Sequence, residues 1–388
     1  MKFLPYILRN VMRNKLRAIF TGMSIAVSLF LVTVLYAYIN VQDETGEKTK
    51  QFARIVVTAK QGLTFPVPIA HVDKVRALSG VEAAVPLSWF GGKYQDEKIP
   101  FGQFATDPEQ INTVLSEYDV KPAELAAFKA DRGGCLVGSR AAEQRNWKVG
   151  DNIVLKGDIY PVTLELTING IFTSESSTDQ LESLWFHFTY LDELLKKDRS
   201  RQAGNAGTIF VKAASPDNLG DLMDRINETF KHTDAPVRAV TEQAFRQMFT
   251  EMLGNVQAYI RNVALAVVIS LMLVAGNAMA MSMRERTREV AVLKAIGFTR
   301  FIVLSLVLVE AILIAMIGGA VGVLGAKLLF AMRDIVFRGI PGISGFYVPW
   351  STVIFGMALA AMIGLFSGIV PAWRAAQVSV VDGLRKVV

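Results

Sequence analysis

Apolar residues fall in two patterns along this chain. Four stretches are apolar nearly throughout, and a long interval between the first and second alternates polar with apolar. Ile19–Ile39, Asn262–Met283 and Trp350–Trp373 carry no charged side chain, and Phe301–Ala326 carries Glu310 alone until its end. A helix rising about 1.5 Å per residue crosses a hydrocarbon core of roughly 30 Å in about 20 residues. Each stretch meets that length, so the pattern predicts four membrane-spanning helices. The interval from 40 to 261 is long enough to enclose an apolar core of its own. The expected fold class is therefore an integral membrane protein, with four transmembrane α-helices and a large α+β extracytoplasmic domain inserted between spans 1 and 2.

Within that interval the period changes repeatedly. A charged, helix-compatible run at 40–53 gives way to a strand at Arg54–Ala59, a short helix at His71–Leu78 and a strand at Val81–Leu87. Cys135–Val137 reads as a buried strand leading into a helix at Ser139–Gln144. Val162, Leu164, Leu166 and Ile168 alternate with Thr163, Glu165 and Thr167, which predicts a strand. Strands are also expected at Ile153–Leu155, Leu184–Tyr190, Thr208–Val211 and Val237–Val240. Ser215–Pro216 should open a helix running to Phe230, with proline at a tolerated first-turn position. From Thr241 no proline interrupts the chain before Met283, which predicts one helix leading from the outer domain into span 2. Ser174–Asp179 reads as a solvated loop.

Charge sets the orientation. The chain carries +6 overall and is 52% hydrophobic. Lys2, Arg9, Arg13, Lys15 and Arg17 precede the first span without an acid, Arg284–Arg300 is basic, and Arg374, Arg385 and Lys386 follow the last span. The positive-inside rule then puts both termini and the second loop in the cytoplasm, and the large domain outside. That domain is net acidic, so the basic balance does not signal nucleic-acid binding. The first span is longer than a typical signal core and no A-x-A follows it, so an uncleaved anchor is expected. The domain boundaries are then 1–18 for a cytoplasmic amphipathic N-terminal helix, 19–39 for span 1 and 40–261 for the outer domain, with stalk helices and two subdomains. Span 2 is 262–283, a cytoplasmic loop 284–300, span 3 301–326, a short outer loop 327–349, span 4 350–373, and a cytoplasmic tail 374–388. Cys135 is the single cysteine, so no disulfide within the chain staples the outer domain.

No catalytic, cofactor or metal constellation stands out. The phosphate-binding G-x-x-x-x-G-K-S/T pattern is missing, and His71, His187 and His232 lack ligand spacing. Glu310 is the conspicuous polar residue of the spans. An acid within a span costs on the order of 2.5–3.5 kcal/mol on insertion scales, so it should face protein, with Ser270, Asn277, Ser282 and Ser367 as candidate partners. Gly318 and Gly322 form a G-x-x-x-G that would let two helix backbones approach closely, with Gly319 beside them.

The loop Arg284-Glu285-Arg286-Thr287-Arg288-Glu289-Val290 continues through Leu293 and Ala295 to Gly297. Val290, Leu293 and Ile296 share one helical face opposite the charges, and Gly297 suits a helix C-terminus. This segment resembles the coupling-helix motif E-R-T-R-E-I of the MacB/LolC/FtsX-type ABC transporter permeases, with Val290 in the isoleucine position. Glu310-Ala311 with Gly318, Gly319 and Gly322 is similar to the family's third span. Pro371–Ala376 with Val380–Arg385 resembles its C-terminal signature, though Val380 and Gly383 replace the usual proline and alanine. Leu8–Arg17 is similar to its N-terminal helix, and Val137–Ala142 with Val149–Asp151 to its MacB-like periplasmic core domain.

The resemblance implies a permease subunit without a nucleotide site, working in a cell (inner) membrane as a homodimer or related heterodimer. A separate cytoplasmic ABC ATPase would bind ATP and Mg, and an adaptor protein in the periplasm is a further implied partner beside membrane lipid. Residues 284–290, Leu293, Ile296 and Gly297 would couple to the ATPase, the apolar trio in its groove and the arginines at the rim. Glu310, Gly318, Gly319 and Gly322 would pack and couple the spans. ATP hydrolysis would move the outer domain by mechanotransmission, to export or extract a lipophilic, lipoprotein, peptide or drug-like substrate. The alternative is an FtsX-like transducer that moves no cargo and activates a cell-wall hydrolase.

Overall fold

A computed structural model of the chain describes residues 15–50, 52–95, 101–174, 181–252, 256–332 and 346–381. The N-terminal amphipathic segment before Lys15, the loop 175–180, most of the third interspan loop and the tail after Val381 lie outside the described residues. Two compact units result, a helical one built from the long apolar helices and a sheet-bearing one from the interval after the first span.

The chain opens on helix α1 (Lys15–Lys50) and enters the sheet unit at β1 (Arg54–Ala59). There follow β2 (Val67–Pro68), α2 (Ala70–Arg76), β3 (Val81–Trp89), β4 (Gly92–Tyr94), β5 (Gly102–Thr106), α3 (Ile111–Val114) and α4 (Pro122–Ala130). Next come β6 (Gly134–Gly138), α5 (Ser139–Arg145), β7 (Asn152–Gly157), β8 (Thr163–Phe172), β9 (Ser183–His187) and α6 (Phe188–Lys197). The unit closes with β10 (Asn205–Ala206), β11 (Thr208–Ala213), α7 (Leu219–Phe230), β12 (Val237–Thr241) and α8 (Glu242–Met252).

One ten-stranded mixed sheet runs in the order β12-β1-β11-β3-β5-β9-β6-β8-β7-β4. Every residue of β1 is buried, because helices cover the sheet on both faces at that point. Ile55 and Val57 point into a core shared with Val72 and Val75 of α2 and Leu222, Ile226 and Phe230 of α7. Val56 points the other way, into a core holding Phe128, Phe172 and Trp185, against which Phe245 of α8 packs. Strand β8 keeps the expected alternation, with Leu164, Leu166 and Ile168 buried and Glu165 exposed.

Strand β9 ends at His187, earlier than the strand expected over Leu184–Tyr190. From Phe188 the chain is helical, because Phe188, Leu191 and Leu195 fall on one helical face and sink into the core beside Phe186 and Leu184. The helix expected from Ser215 begins as a 3-10 turn at Pro216–Asn218, where the Ser215 hydroxyl accepts from the Asp217 N–H. The uninterrupted helix expected from Thr241 to Met283 is described as two, and its junction at 253–255 lies outside the described residues.

The helical unit continues with α9 (Val256–Glu285), α10 (Thr287–Ala295), α11 (Arg300–Ala331) and α12 (Trp350–Gln377). Ala18–Val41, Gln257–Glu285, Arg300–Ala331 and Trp350–Gln377 are each long and apolar enough to cross a membrane. Small residues knit these helices. A Cβ placed on Gly364 would stand 2.7 Å from Ile312 Cα, and one on Gly368 would stand 2.8 Å from Ala311 Cβ, so α12 lies against α11 almost backbone to backbone. At the other end of α1 and α12, Asn40 donates to the Thr352 hydroxyl at 2.9 Å and Tyr36 stacks on Phe355.

Candidate coupling site

The short helix α10 joins two of the spans, and the chain turns into it at Arg286, whose backbone leaves the helical pattern of α9. The Thr287 hydroxyl donates back to the last turn of α9, 3.0 Å from Arg284 O and 3.1 Å from Met283 O, which also accepts from the Arg286 N–H. At the far end the Gly297 N–H reaches Lys294 O and the Phe298 N–H reaches Leu293 O. Gly297 takes a φ of 104° there, a left-handed conformation that a glycine adopts without Cβ strain. Thr299 then starts α11, its hydroxyl accepting from the Ile302 N–H. Thus the sequence closes the C-terminal end of a nine-residue helix, which is too short to hold itself together in isolation.

Three contacts fix α10 to the spans. Arg286 Nη1 donates to both carboxylate oxygens of Glu310 at 2.9 Å, with side-chain exposures of 13% and 8%. Lys294 Nζ donates to Ala376 O at 2.5 Å and Val378 O at 2.7 Å, covering the open carbonyls and negative dipole end of α12. Burial, with Arg300 adding repulsion, lowers the Lys294 ammonium from its ordinary pKa. Val290 and Ala291 are buried within the chain itself.

These positions redistribute the roles expected of the motif. Val290 faces the spans rather than outward, and Leu293 is half-buried. The exposed stripe of α10 runs through Arg288, Val292, Ala295 and Ile296, with Val292 43% and Ile296 72% exposed. Arg286 is the counterion of Glu310 and does not belong to a rim. The physical cause is the turn at Arg286, which rotates α10 so that residues 287, 290, 291 and 294 meet the neighbouring helices. Arg284, Glu285 and Gly297 are exposed, and Glu289 is half-buried.

Glu310 was expected to find a hydroxyl or amide on a neighbouring span. Ser367 instead donates to Gly364 O, and Ser270 and Asn277 are exposed. Arg286 lies outside the spans; an arginine one turn beyond a span, opposite an acid inside the next, is the sequence signal for this pair. The glycines behave as close-approach sites. A Cβ on Gly318 would lie 2.6 Å from Gly22 O of α1, a Cβ on Gly319 would lie 2.5 Å from Ala360 Cβ of α12, and a Cβ on Gly322 would collide with Ala26 O.

Comparison with known proteins bears on the same two units. Residues 19–229 match the family model for the MacB-like periplasmic core domain, and residues 262–380 match that for the FtsX-like permease C-terminal region. The chain belongs to the MacB/FtsX-type ABC transporter permease family. An uncharacterized ABC transporter permease of Methanocaldococcus jannaschii is 22% identical over 402 residues, covering 98% of this chain and 97% of that one. The macrolide export ATP-binding/permease protein MacB of Nitrosomonas europaea is 34% identical over 189 residues, 45% of this chain. That match spans only 26% of the MacB chain's own length. Among solved structures, the periplasmic region of MacB from Actinobacillus actinomycetemcomitans aligns with a TM-score of 0.37 and 11% identity, over 51% of this chain and 92% of that one. With four candidate spans and a domain of this family between the first and second, the chain is a multi-pass membrane protein with an extracytoplasmic domain.

Proposed function

We propose that this chain is the membrane subunit of an ABC transporter whose ATP and Mg are bound by a separate cytoplasmic ATPase. The observation that carries this reading is α10, a short interspan helix with an apolar stripe at Val292 and Ile296 left uncovered by its own chain. Its other face is tied through Arg286 to α11 and through Lys294 to α12. A force applied to the exposed stripe is therefore delivered to two spans at once. Both termini and α10 then face the cytoplasm, in keeping with the basic loops. A second protomer completes the unit, and motion passes to the extracytoplasmic domain. The spans offer little polar lining, which favours cargo taken up outside the bilayer, of lipophilic, lipoprotein, peptide or drug-like class.

Burying an Ile-sized side chain contributes about 1.5–3 kcal/mol, so a carboxylate in its place opposes docking strongly. Ile296→Glu is expected to abolish copurification of the ATPase and ATP-dependent function while expression and insertion stay normal. Full ATPase retention by Ile296→Glu would refute the assignment of this stripe, and ATP hydrolysis by the purified chain without a partner would refute the division of labour.

A further inference from the structure

The sheet unit contains a buried ionic knot that the coupling site does not use. Arg54, the first residue of β1, has a side chain only 1% exposed. Its Nε meets Glu242 Oε2 at 2.6 Å, and its Nη1 meets Glu117 Oε2 at 2.6 Å and Val114 O at 3.1 Å. Glu242 is itself buried and also accepts from Arg246 at 3.1 and 3.2 Å. The guanidinium lies 4.7 Å from the centre of the Phe52 ring.

The placement in the chain matters more than the pairing. Arg54 stands four residues after the end of α1, the helix that carries the first span. Glu242 is the first residue of α8, the last described helix before the second-span helix α9. The first long strand of the sheet unit and its last described helix thus meet at one guanidinium. Glu117 lies between α3 and the bridge Asp119↔Thr173, where two backbone hydrogen bonds of 2.9 Å hold the loop to the end of β8. Its loop thus runs from α3, which packs over β3 and β11 beside β1, to the end of β8 in the far half of the sheet.

A buried ion pair is seldom the most stable solution for a core, since well-packed apolar side chains often do as well. What it supplies is fixed direction: the planar fork engages two carboxylates at set angles, and a shift of either acid drags the other. We infer that Arg54 is the joint that passes displacement of the two connecting segments into the far half of the sheet, with Glu242 as its input and Glu117 as its output. The inference rests on the proposed motion of the extracytoplasmic domain and names the residues that carry it.

Spin labels on Glu165→Cys of β8 and Asp224→Cys of α7 report the distance across the sheet unit, in the full chain reconstituted with the ATPase that copurifies with it. Trapping with ATP and vanadate is expected to shift that distance in the otherwise native chain. Glu117→Gln leaves the Arg54–Glu242 pair in place and is expected to lose the shift while keeping the ATPase bound. A merely structural knot would lower the unfolding midpoint and leave the shift intact, and that result overturns the inference. Should Glu117→Gln fail to accumulate, Arg54→Lys is read the same way, because one ammonium keeps the charge but not the fork. No shift in the native chain with the ATPase bound would instead overturn the motion-transmitting reading on which the inference stands.

Discussion

Removing Arg286 should damage the helical unit far more than removing the neighbouring Arg288. Arg286 Nη1 stands 2.9 Å from each oxygen of Glu310, and both side chains are nearly buried. At an effective dielectric of 20 the attraction at that distance is about 6 kcal/mol, most of it offset by the loss of hydration. The intact pair therefore contributes modestly, but stripping one partner from a buried pair typically costs about 3–5 kcal/mol. With Arg286 still 13% exposed, the lower end, about 3 kcal/mol, is the appropriate figure.

The two partners are not equivalent. Glu310 lies ten residues into α11, whereas Arg286 sits at the turn beyond α9 and can swing its long side chain toward water. Glu310→Gln should cost only about 1 kcal/mol, because an amide oxygen still accepts from Arg286. Arg286→Ala strands the carboxylate among apolar helices. The double variant Arg286→Met with Glu310→Leu removes both charges and should recover most of the loss. Equilibrium unfolding in mixed detergent micelles measures all four species. Arg286→Ala within about 0.5 kcal/mol of the native chain would refute the reasoning, as would a double variant no more stable than Arg286→Ala.

Two further outcomes are expected. Gly322→Ala, whose Cβ would meet Ala26 O, should destabilise the packing of α1 on α11 by about 1–3 kcal/mol, whereas Gly325→Ala, with open space around it, should be tolerated; equal unfolding midpoints would contradict the close-approach role. Cys135 is fully buried, and burial pushes its thiol well above the ordinary range, so the native chain should resist maleimide until unfolded. Against that silent background, Glu165→Cys should label from outside intact cells and Arg288→Cys only after permeabilisation; outside labelling at 288 would reverse the orientation.

The features legible in the sequence were those set by periodicity or by backbone chemistry. Uninterrupted apolar runs announced the spans, alternation announced β8, and a glycine at 297 announced the end of α10. Each is a local property, decided within one turn or one strand. Phe188–Tyr190 misled because a short apolar run suits either a strand or a helix, and only the later Leu191 and Leu195 decide between them. Partner identity is not a local property. A helical period shows that Val290, Leu293 and Ile296 share a face, but not what that face meets.

In α10 that distinction changed the functional reading of the motif. The turn at Arg286 gives Val290 to the spans and leaves Val292 and Ile296 outside. The charged residues divide in the same way: Arg286 and Lys294 bind groups on α11 and α12, and Arg288 remains on the exposed stripe. A helix that only fixed orientation by charge would need neither inward bond, since positive charge acts on topology wherever it sits along the loop. A helix that transmits force needs both, because a lever fastened at one end pivots, whereas one fastened near both ends carries its neighbours with it.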